Sequence, residues 1–383
     1  MATADVLRSP RTARPAFKPI FQHGVSASTT KPSSFDASKH LMYKEHPKVH
    51  TMKEIGFPGE VGISPVAVSE PFPLFSPEAI QTMRSEIFSK DVMDNCQYSS
   101  NIAACQLRGF APKYASFVHD AWKSPETLAA ISKVAGVDLV PVMDFEIAHI
   151  NISVKSEKEK EQELEYVKES RSRMADEGIA GCPWEDDKPV VGWHTDSYPF
   201  VCVLMLSDCS TMVGGETALV TGTGEVLKVR GPQMGCAVVL QGRYITHQAL
   251  RALGATERIT MVTSFRPRSP LIRDDTVLTT VRPISNLSDL YSEFSEYRLE
   301  MLEERIRAQL KDIRDRKRAG KKFDTNATKD FLLKQEKFLA HTNSEMVEED
   351  KVRKGYIEEV NLANVEVGEG EKEDRGVKRA RPN

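Results

Sequence analysis

The sequence predicts a mainly β domain, a sandwich or barrel, with helices before and after it. Three observations carry this expectation. Short apolar runs recur between residues 189 and 268, among them Val201-Cys202-Val203-Leu204-Met205-Leu206 and Ala237-Val238-Val239-Leu240, and Thr260 to Phe265 alternates in part. Turn signals separate the runs: Gly214-Gly215, Gly222-Thr223-Gly224, Gly231-Pro232 and Gly242. Short strands divided by glycine turns at this spacing mark sandwiches and barrels. Finally, strands do not alternate with helices as a dinucleotide fold requires, and Gly222-x-Gly224 lacks the third glycine of a phosphate-binding loop, so a hairpin turn explains it.

A chain of 383 residues is long enough for one large domain or two ordinary ones. Lys plus Arg number 52 against 55 for Asp plus Glu, a net charge of −3 that gives no global pull toward nucleic acid or an anionic membrane. No apolar run approaches the roughly 20 residues of a membrane-spanning helix. The N-terminus lacks a secretory layout, so a cytoplasmic protein with reduced thiols is expected. Its six cysteines, Cys96, Cys105, Cys182, Cys202, Cys209 and Cys236, form no Cys-x-x-Cys pair and read as small apolar residues.

In chain order, residues 1–40 are rich in Ser, Thr, Ala, Pro and basic side chains and read as a disordered tail. Arg8, Arg11, Arg14 and Lys18 hint at a mitochondrial presequence, which Asp5 and three prolines argue against. Between Tyr43 and Leu139 a helical layer is expected: Ser76-Pro77-Glu78 and Ser124-Pro125-Glu126 each place a capping serine before proline and an apolar helical run. The sheet is expected to begin with a strand over Asp144 to Val154. A charged insert follows at about 155–188, a solvated helix from Ser156 to Met174 and then a loop with Cys182, Pro183 and Trp184. Trp184, Asp186 and Asp187 make that loop a candidate lid. After Pro283, Leu287, Leu290, Tyr291, Phe294, Tyr297, Met301 and Leu302 recur at three- and four-residue steps, with Leu299 off that stripe. This helix packs on the domain or on a second subunit, so a homodimer through it is one expectation. Residues 368–383 form a second disordered tail, in which Lys378-Arg379-Ala380-Arg381-Pro382 resembles a nuclear import signal.

The chemistry concentrates at Gly192-Trp193-His194-Thr195-Asp196. On extended backbone, residues two apart project to one side, so the His194 ring and the Asp196 carboxylate can converge on one point. An imidazole with a carboxylate suits a divalent first-row metal such as iron(II). His-x-Asp is weak evidence alone and needs a third ligand. Downstream only His247 and His341 remain. His341 lies in a charged helical stretch and reads as a surface residue, whereas His247 follows an apolar strand that can fold back toward His194. Two His and one carboxylate leave three metal positions open for a bidentate co-substrate and dioxygen. Should His247 not serve, His149 is the next candidate. Arg258, 11 residues beyond His247, can meet a buried carboxylate with two parallel hydrogen bonds, and Thr260 projects on the same side.

The stretch from Val191 to Pro267 resembles the catalytic core of iron(II)/2-oxoglutarate dioxygenases, particularly the prolyl-hydroxylase-like branch. The pattern is His194-x-Asp196, an apolar strand, Gly214-Gly215-Glu216-Thr217, Pro232-x-x-Gly235, a second apolar strand, His247 and Arg258. From Lys44 to Pro270 the chain is also similar to fungal oxygenases, cluster-encoded or uncharacterised. The resemblance implies a double-stranded β-helix (jelly-roll) core with N-terminal buttressing helices and a helical C-terminal extension. It implies His194, Asp196 and His247 as iron ligands and Arg258 as the partner of the distal 2-oxoglutarate carboxylate. Iron(II) is then the metal, 2-oxoglutarate and O2 the co-substrates, and ascorbate a supporting reductant. The organisation expected is a tail at 1–40, an oxygenase domain at 41–283 with its core at 189–268, a helical extension at 284–367 and a tail at 368–383. The expected activity is hydroxylation, desaturation or ring closure of a small molecule such as an amino acid or secondary-metabolite intermediate. The alternatives are a nuclear oxygenase acting on protein or nucleic acid, and a non-catalytic binding protein. Trp193, Tyr198 and Phe200 are either an aromatic wall near the metal or sheet core. Asn151 and His149 share one strand face and either line the pocket or bond within the core.

Overall fold

The computed structural model describes residues 34–176, 189–210, 212–229 and 233–358. Its strands are β1 (Val49–Thr51), β2 (Val66–Ser69), β3 (Phe72–Pro73), β4 (Gln97–Tyr98), β5 (Cys105–Leu107), β6 (Leu139–Pro141), β7 (His149–Val154) and β8 (Pro189–His194). They continue as β9 (Phe200–Met205), β10 (Val213–Gly214), β11 (Thr217–Val220), β12 (Val226–Val229), β13 (Cys236–Leu240), β14 (His247–Leu250), β15 (Ala252–Leu253) and β16 (Glu257–Pro267). The helices are α1 (Ala37–His40), α2 (Pro77–Ile87), α3 (Lys90–Asn95), α4 (Ala111–Tyr114), α5 (Ser116–Lys123), α6 (Pro125–Ala135), α7 (Glu157–Asp176), α8 (Leu287–Arg318) and α9 (Thr325–Glu345).

The long apolar strands assemble a large antiparallel sheet in the order β1-β2-β13-β9-β16-β7-β5-β4, with β3 beside β13 and β6 beside β16. A four-stranded sheet, β12-β11-β14-β8, takes the strands in between. Successive strands therefore alternate between the two sheets from β7 to β9. The sheets close face to face: Val201, Val238 and Leu240 from the large sheet share one core with Leu219 and Val229 from the small one, and Val262 packs against it. On the other face of the large sheet, α2, α5 and α6 are buried, with Trp122 of α5 donating to Met261 Sδ of β16 at 3.0 Å.

The capping serines act as the sequence predicts. Ser76 accepts from Ala79 N at 3.2 Å at the start of α2, and Ser124 caps α6. Other expectations need correction. Residues 34–40, expected within a disordered tail, are ordered: Asp36 caps α1, and Phe35 packs on Phe75 and Phe117. The region 43–139 is not a helical layer alone, since it sends β1 to β6 into the large sheet. These strands are only two to four residues long, too short for any period to show. The strand expected over Asp144 to Val154 begins only at His149, because Asp144–Glu146 forms a 3-10 turn and Ala148 takes a positive φ of 65°. Ala148 N–H donates there to Thr263 Oγ1 at 3.0 Å, and Asp144 is held by Lys123.

The charged insert is helical as expected over α7, which docks through Val167 and through Glu163, bonded to Lys155 at 2.6 Å and to Gly254 N at 3.1 Å. The loop with Cys182, Trp184, Asp186 and Asp187 lies outside the described residues, as do most of the N-terminal tail and Lys378 to Pro382. In α8 the expected stripe is buried at Leu287, Leu290, Phe294, Tyr297 and Met301. Tyr198 joins that cluster and Phe200 is buried in β9, so both are core, while Trp193 stays half-buried. His341 is not a free surface group: its Nε2 donates to Thr276 O at 2.8 Å. Cys96, Cys105 and Cys202 are buried, Cys209 and Cys236 half-buried, and none of these five is in a disulfide. No helix among the described residues is long and apolar enough to cross a membrane.

Candidate metal centre

The small sheet brings the predicted ligands together. β14 lies antiparallel to β8 with His247 directly opposite His194. On its other side His247 lies opposite Leu219 of β11, which is fully buried in the core between the sheets. Directly paired residues share a face, so both imidazoles point into the space between the layers. Their ring centroids are 4.4 Å apart. Asp196 follows β8 by two residues and is held by its N–H donating to Gly242 O at 2.9 Å. Its Oδ1 lies 3.7 Å from His194 Nε2 and its Oδ2 lies 3.6 Å from His247 Nε2. These separations are too long for hydrogen bonds and suit three atoms around one ion. Each residue offers a ligand atom within 4.8 Å of the others, and no other His, Cys, Asp or Glu group of three or more among the described residues does so.

The donor set fits a divalent metal on two further grounds. His194 Nδ1 lies 2.7 Å from Gly192 O and His247 Nδ1 lies 2.9 Å from Ile245 O. A carbonyl can only accept, so Nδ1 carries the proton in both rings and Nε2 is the basic nitrogen of each, the one that can ligate a metal. Burial lowers the His247 ring below its ordinary value, against the pull of Asp196. Burial alone would raise the Asp196 carboxyl, but the His247 and His194 rings and Arg243 hold it below its ordinary value. Its Oδ2 is buried with no hydrogen-bond partner, a charged acceptor whose natural complement is a cation.

By its sequence neighbours Gly242 is an ordinary turn glycine. In fact an added Cβ there would sit 1.8 Å from Asp196 Oδ2, so only glycine leaves the carboxylate its place.

The co-substrate candidates sit on the facing layer. Arg258, Thr260 and Val262 alternate along β16 onto one face, and Val262 marks that face as the one packed toward the small sheet. Arg258 Nε lies 3.9 Å from where a Cβ on Gly215 would stand, beside the small sheet. It is buried with no hydrogen-bond partner, and burial pulls the guanidinium below its ordinary value. Arg258 lines a cleft with Ser153, Lys155, Ala252, Ala255 and Glu257. Thr260 is buried opposite Asn151 of β7 and Met205 of β9.

His149 is excluded as a spare ligand. Arg108 donates to its Nδ1 at 2.9 Å, which uses that lone pair and puts the ring proton on Nε2, 3.1 Å from Gln106 Nε2, so neither nitrogen offers a lone pair to a metal. Gln106 donates to Asn151 Oδ1 at 3.2 Å, and Arg108 forms a fully buried ion pair with Glu146. His149 lies opposite Val262, so this polar cluster faces the interlayer space. No sequence signal marks this cluster, since β5 is only three residues long.

No protein-family model and no curated protein matches the chain. Solved structures similar to it include a Pseudomonas putida prolyl-4-hydroxylase, 17% identical, covering 53% of this chain and 93% of that one at a TM-score of 0.33. The non-haem alpha-ketoglutarate-dependent epimerase SnoN from nogalamycin biosynthesis is 10% identical, covering 53% and 77% of the two chains at 0.35. HygX from Streptomyces hygroscopicus, solved with nickel, 2-oxoglutarate and hygromycin B bound, is 12% identical, covering 53% and 83% at 0.31. At scores this low the likeness carries no argument, and the residues of the site carry it instead.

Proposed function

We propose that this protein is an iron(II)- and 2-oxoglutarate-dependent oxygenase that oxidises a C–H bond of a small organic substrate. The observation that carries the proposal is the pairing of a three-ligand centre on one sheet with the buried, unpartnered Arg258 Nε on the sheet facing it. A lone metal site has no use for a buried cation opposite it. A co-substrate that chelates metal at one end and carries a carboxylate at the other uses both. The alternation of β7 to β9 between the sheets, and the orders β13-β9-β16-β7 and β12-β11-β14-β8, support a double-stranded β-helix. We assign residues 41–283 to the oxygenase domain and 284–367 to a helical extension.

His194, Asp196 and His247 would hold iron(II) and leave three coordination positions to exchangeable ligands. Bound there, iron supplies the dioxygen chemistry that no side chain of the site can perform. Arg258 pairs with the distal carboxylate of 2-oxoglutarate, and Thr260, on the same strand face, offers it a hydroxyl. The Nδ1–H groups of both histidines stay on backbone carbonyls, so the rings need not shed protons when metal binds. Gln106, His149 and Asn151 give the interlayer space a hydrogen-bonding wall, which suits a substrate bearing polar groups.

The test is succinate release from 2-oxoglutarate by purified protein given iron(II), ascorbate and O2, across a panel of amino acids and related small molecules. Succinate that depends on iron and rises with one of these compounds supports the reading. Folded, iron-loaded protein that neither binds 2-oxoglutarate nor releases succinate would sink it.

A further inference from the structure

α8 carries a second apolar line that the fold leaves uncovered. Its buried side chains, from Leu287 to Met301, face the body and α9, and no residue beyond Met301 is buried. Arg305 extends that docked side, donating to Pro270 O at 2.6 Å and stacking over Phe338. Leu299, Ile306 and Leu310 are 56%, 42% and 44% exposed. They are spaced seven and four residues apart, so at about 100° per residue they fall within about 40° of one another and lie roughly opposite Met301. One exposed leucine needs no explanation. Three on one line of an otherwise charged helix form a seam of the kind that coiled coils close.

The charge of α8 tells what closes it. Residues 287–304 carry six acidic side chains and one basic one, the buried Arg298, which is bonded to Thr342 and Asp274. Residues 305–318 carry seven basic and two acidic side chains. A helix acidic in one half and basic in the other is complementary to itself when reversed, and repels itself when parallel. We propose that this seam joins two copies of the chain, paired antiparallel through α8 about a twofold axis at Ile306.

The register follows from the twofold axis. With Ile306 against Ile306 of the second copy, Leu299 meets Ile313, and Leu310 meets Leu302, which is half-buried with its other side on its own domain's core. On the flank, Glu303 comes beside Arg307, Glu300 beside Arg314 and Glu296 beside Arg318 of the second copy. Glu303 now bonds Arg307 of its own helix at 2.6 Å on the surface, and exposed pairs of this kind exchange partners at little cost. The contact is isologous and closes at two copies.

Sedimentation equilibrium of the full chain tests the proposal. The expected mass is twice 42.8 kDa. Ile306→Asp places a carboxylate on the axis against its own copy and should raise the dimer dissociation constant about a hundredfold or more, with unchanged helicity. Glu300→Arg with Glu303→Arg should also weaken the dimer, and adding Arg307→Glu with Arg314→Glu should restore it. Under mild oxidation Ile306→Cys should cross-link to itself above the wild-type background, whereas Ser292→Cys, on the same line but far from the axis, should not. A monomeric wild type, or a dimer that Ile306→Asp leaves intact, overturns the proposal. Equal cross-linking at both positions, or no rescue by the compensating charges, overturns the antiparallel register.

Discussion

Gly242→Ala tests how tightly the candidate metal centre is built. The new methyl carbon would stand 1.8 Å from Asp196 Oδ2, 2.7 Å from its Cγ and 3.2 Å from its Cβ. Non-bonded contact begins near 3.5 Å, so the oxygen must retreat by about 1.7 Å. A metal ligand tolerates displacement of only about 0.2 Å. The carboxylate therefore has to rotate away from the point it shares with His194 and His247. Because the clash falls on the end of a side chain, the fold should survive with a stability cost of about 1–3 kcal/mol. Metal affinity should fall by at least the roughly 10–100-fold typical of lost ligand orientation. Anaerobic calorimetric titration with iron(II) or cobalt(II), beside thermal melting of the metal-free protein, measures both quantities. Gly59→Ala is the control, since nothing lies within 4 Å of a Cβ there. Wild-type metal affinity in folded Gly242→Ala would show that Asp196 is not a ligand where it now stands.

Other expected outcomes follow from the same geometry. Ala at His194, Asp196 or His247 should abolish iron-dependent succinate release while the far-ultraviolet spectrum is kept; normal turnover in His247→Ala would remove it from the ligand set. Arg258→Leu should weaken 2-oxoglutarate binding by about 3–5 kcal/mol, a hundredfold or more, with iron affinity nearly unchanged, and Arg258→Lys should fall between. Equal co-substrate affinity in Arg258→Leu and the parent would refute the anchor. Arg108→Met leaves Glu146 charged and buried, so melting should report a loss of about 3–5 kcal/mol, and a loss near zero would refute the pairing. Burial and Arg108 hold the His149 ring well below its ordinary value of 6.5. The unfolded chain therefore takes up this proton first, and stability should fall as pH drops below 6.5, by at most about 1.4 kcal/mol per unit from this group. Substituting His149 by Gln should flatten that acid limb, and an unchanged slope would count against it.

What the sequence made legible was local or periodic. Ser76 and Ser124 announced their helices because a cap, a proline and an apolar run lie within a few residues. His194 and Asp196 stood out because extended backbone brings alternate residues to one side. His247 was found because few histidines remained downstream. What stayed hidden depends on contacts distant in sequence. Nothing near Asp144 signals a 3-10 turn, since its cause is the bonding of Ala148 to Thr263 and of Asp144 to Lys123. Gly242 looked like any turn glycine, because its constraint comes from a carboxylate 46 residues earlier in the chain. The strands β1 to β6 were invisible because two to four residues cannot display a period.

The candidate metal ligands belong to one sheet and its flanking turn, whereas Arg258 and Thr260 belong to the other. No covalent element short enough to be stiff joins the two groups. In the proposed site, the span from metal to Arg258 would therefore be set by the thickness of the oily layer between them, by Val201, Leu219, Val238 and Val262. On the proposed function, that layer would serve as a ruler for the length of the co-substrate. Thinning it by one side chain, as in Leu219→Ala, would bring the two ends closer or leave them free to wander, though no polar residue had been touched. Discrimination between a five-carbon diacid and its shorter or longer homologues would then be written in hydrocarbon volume as much as in charge.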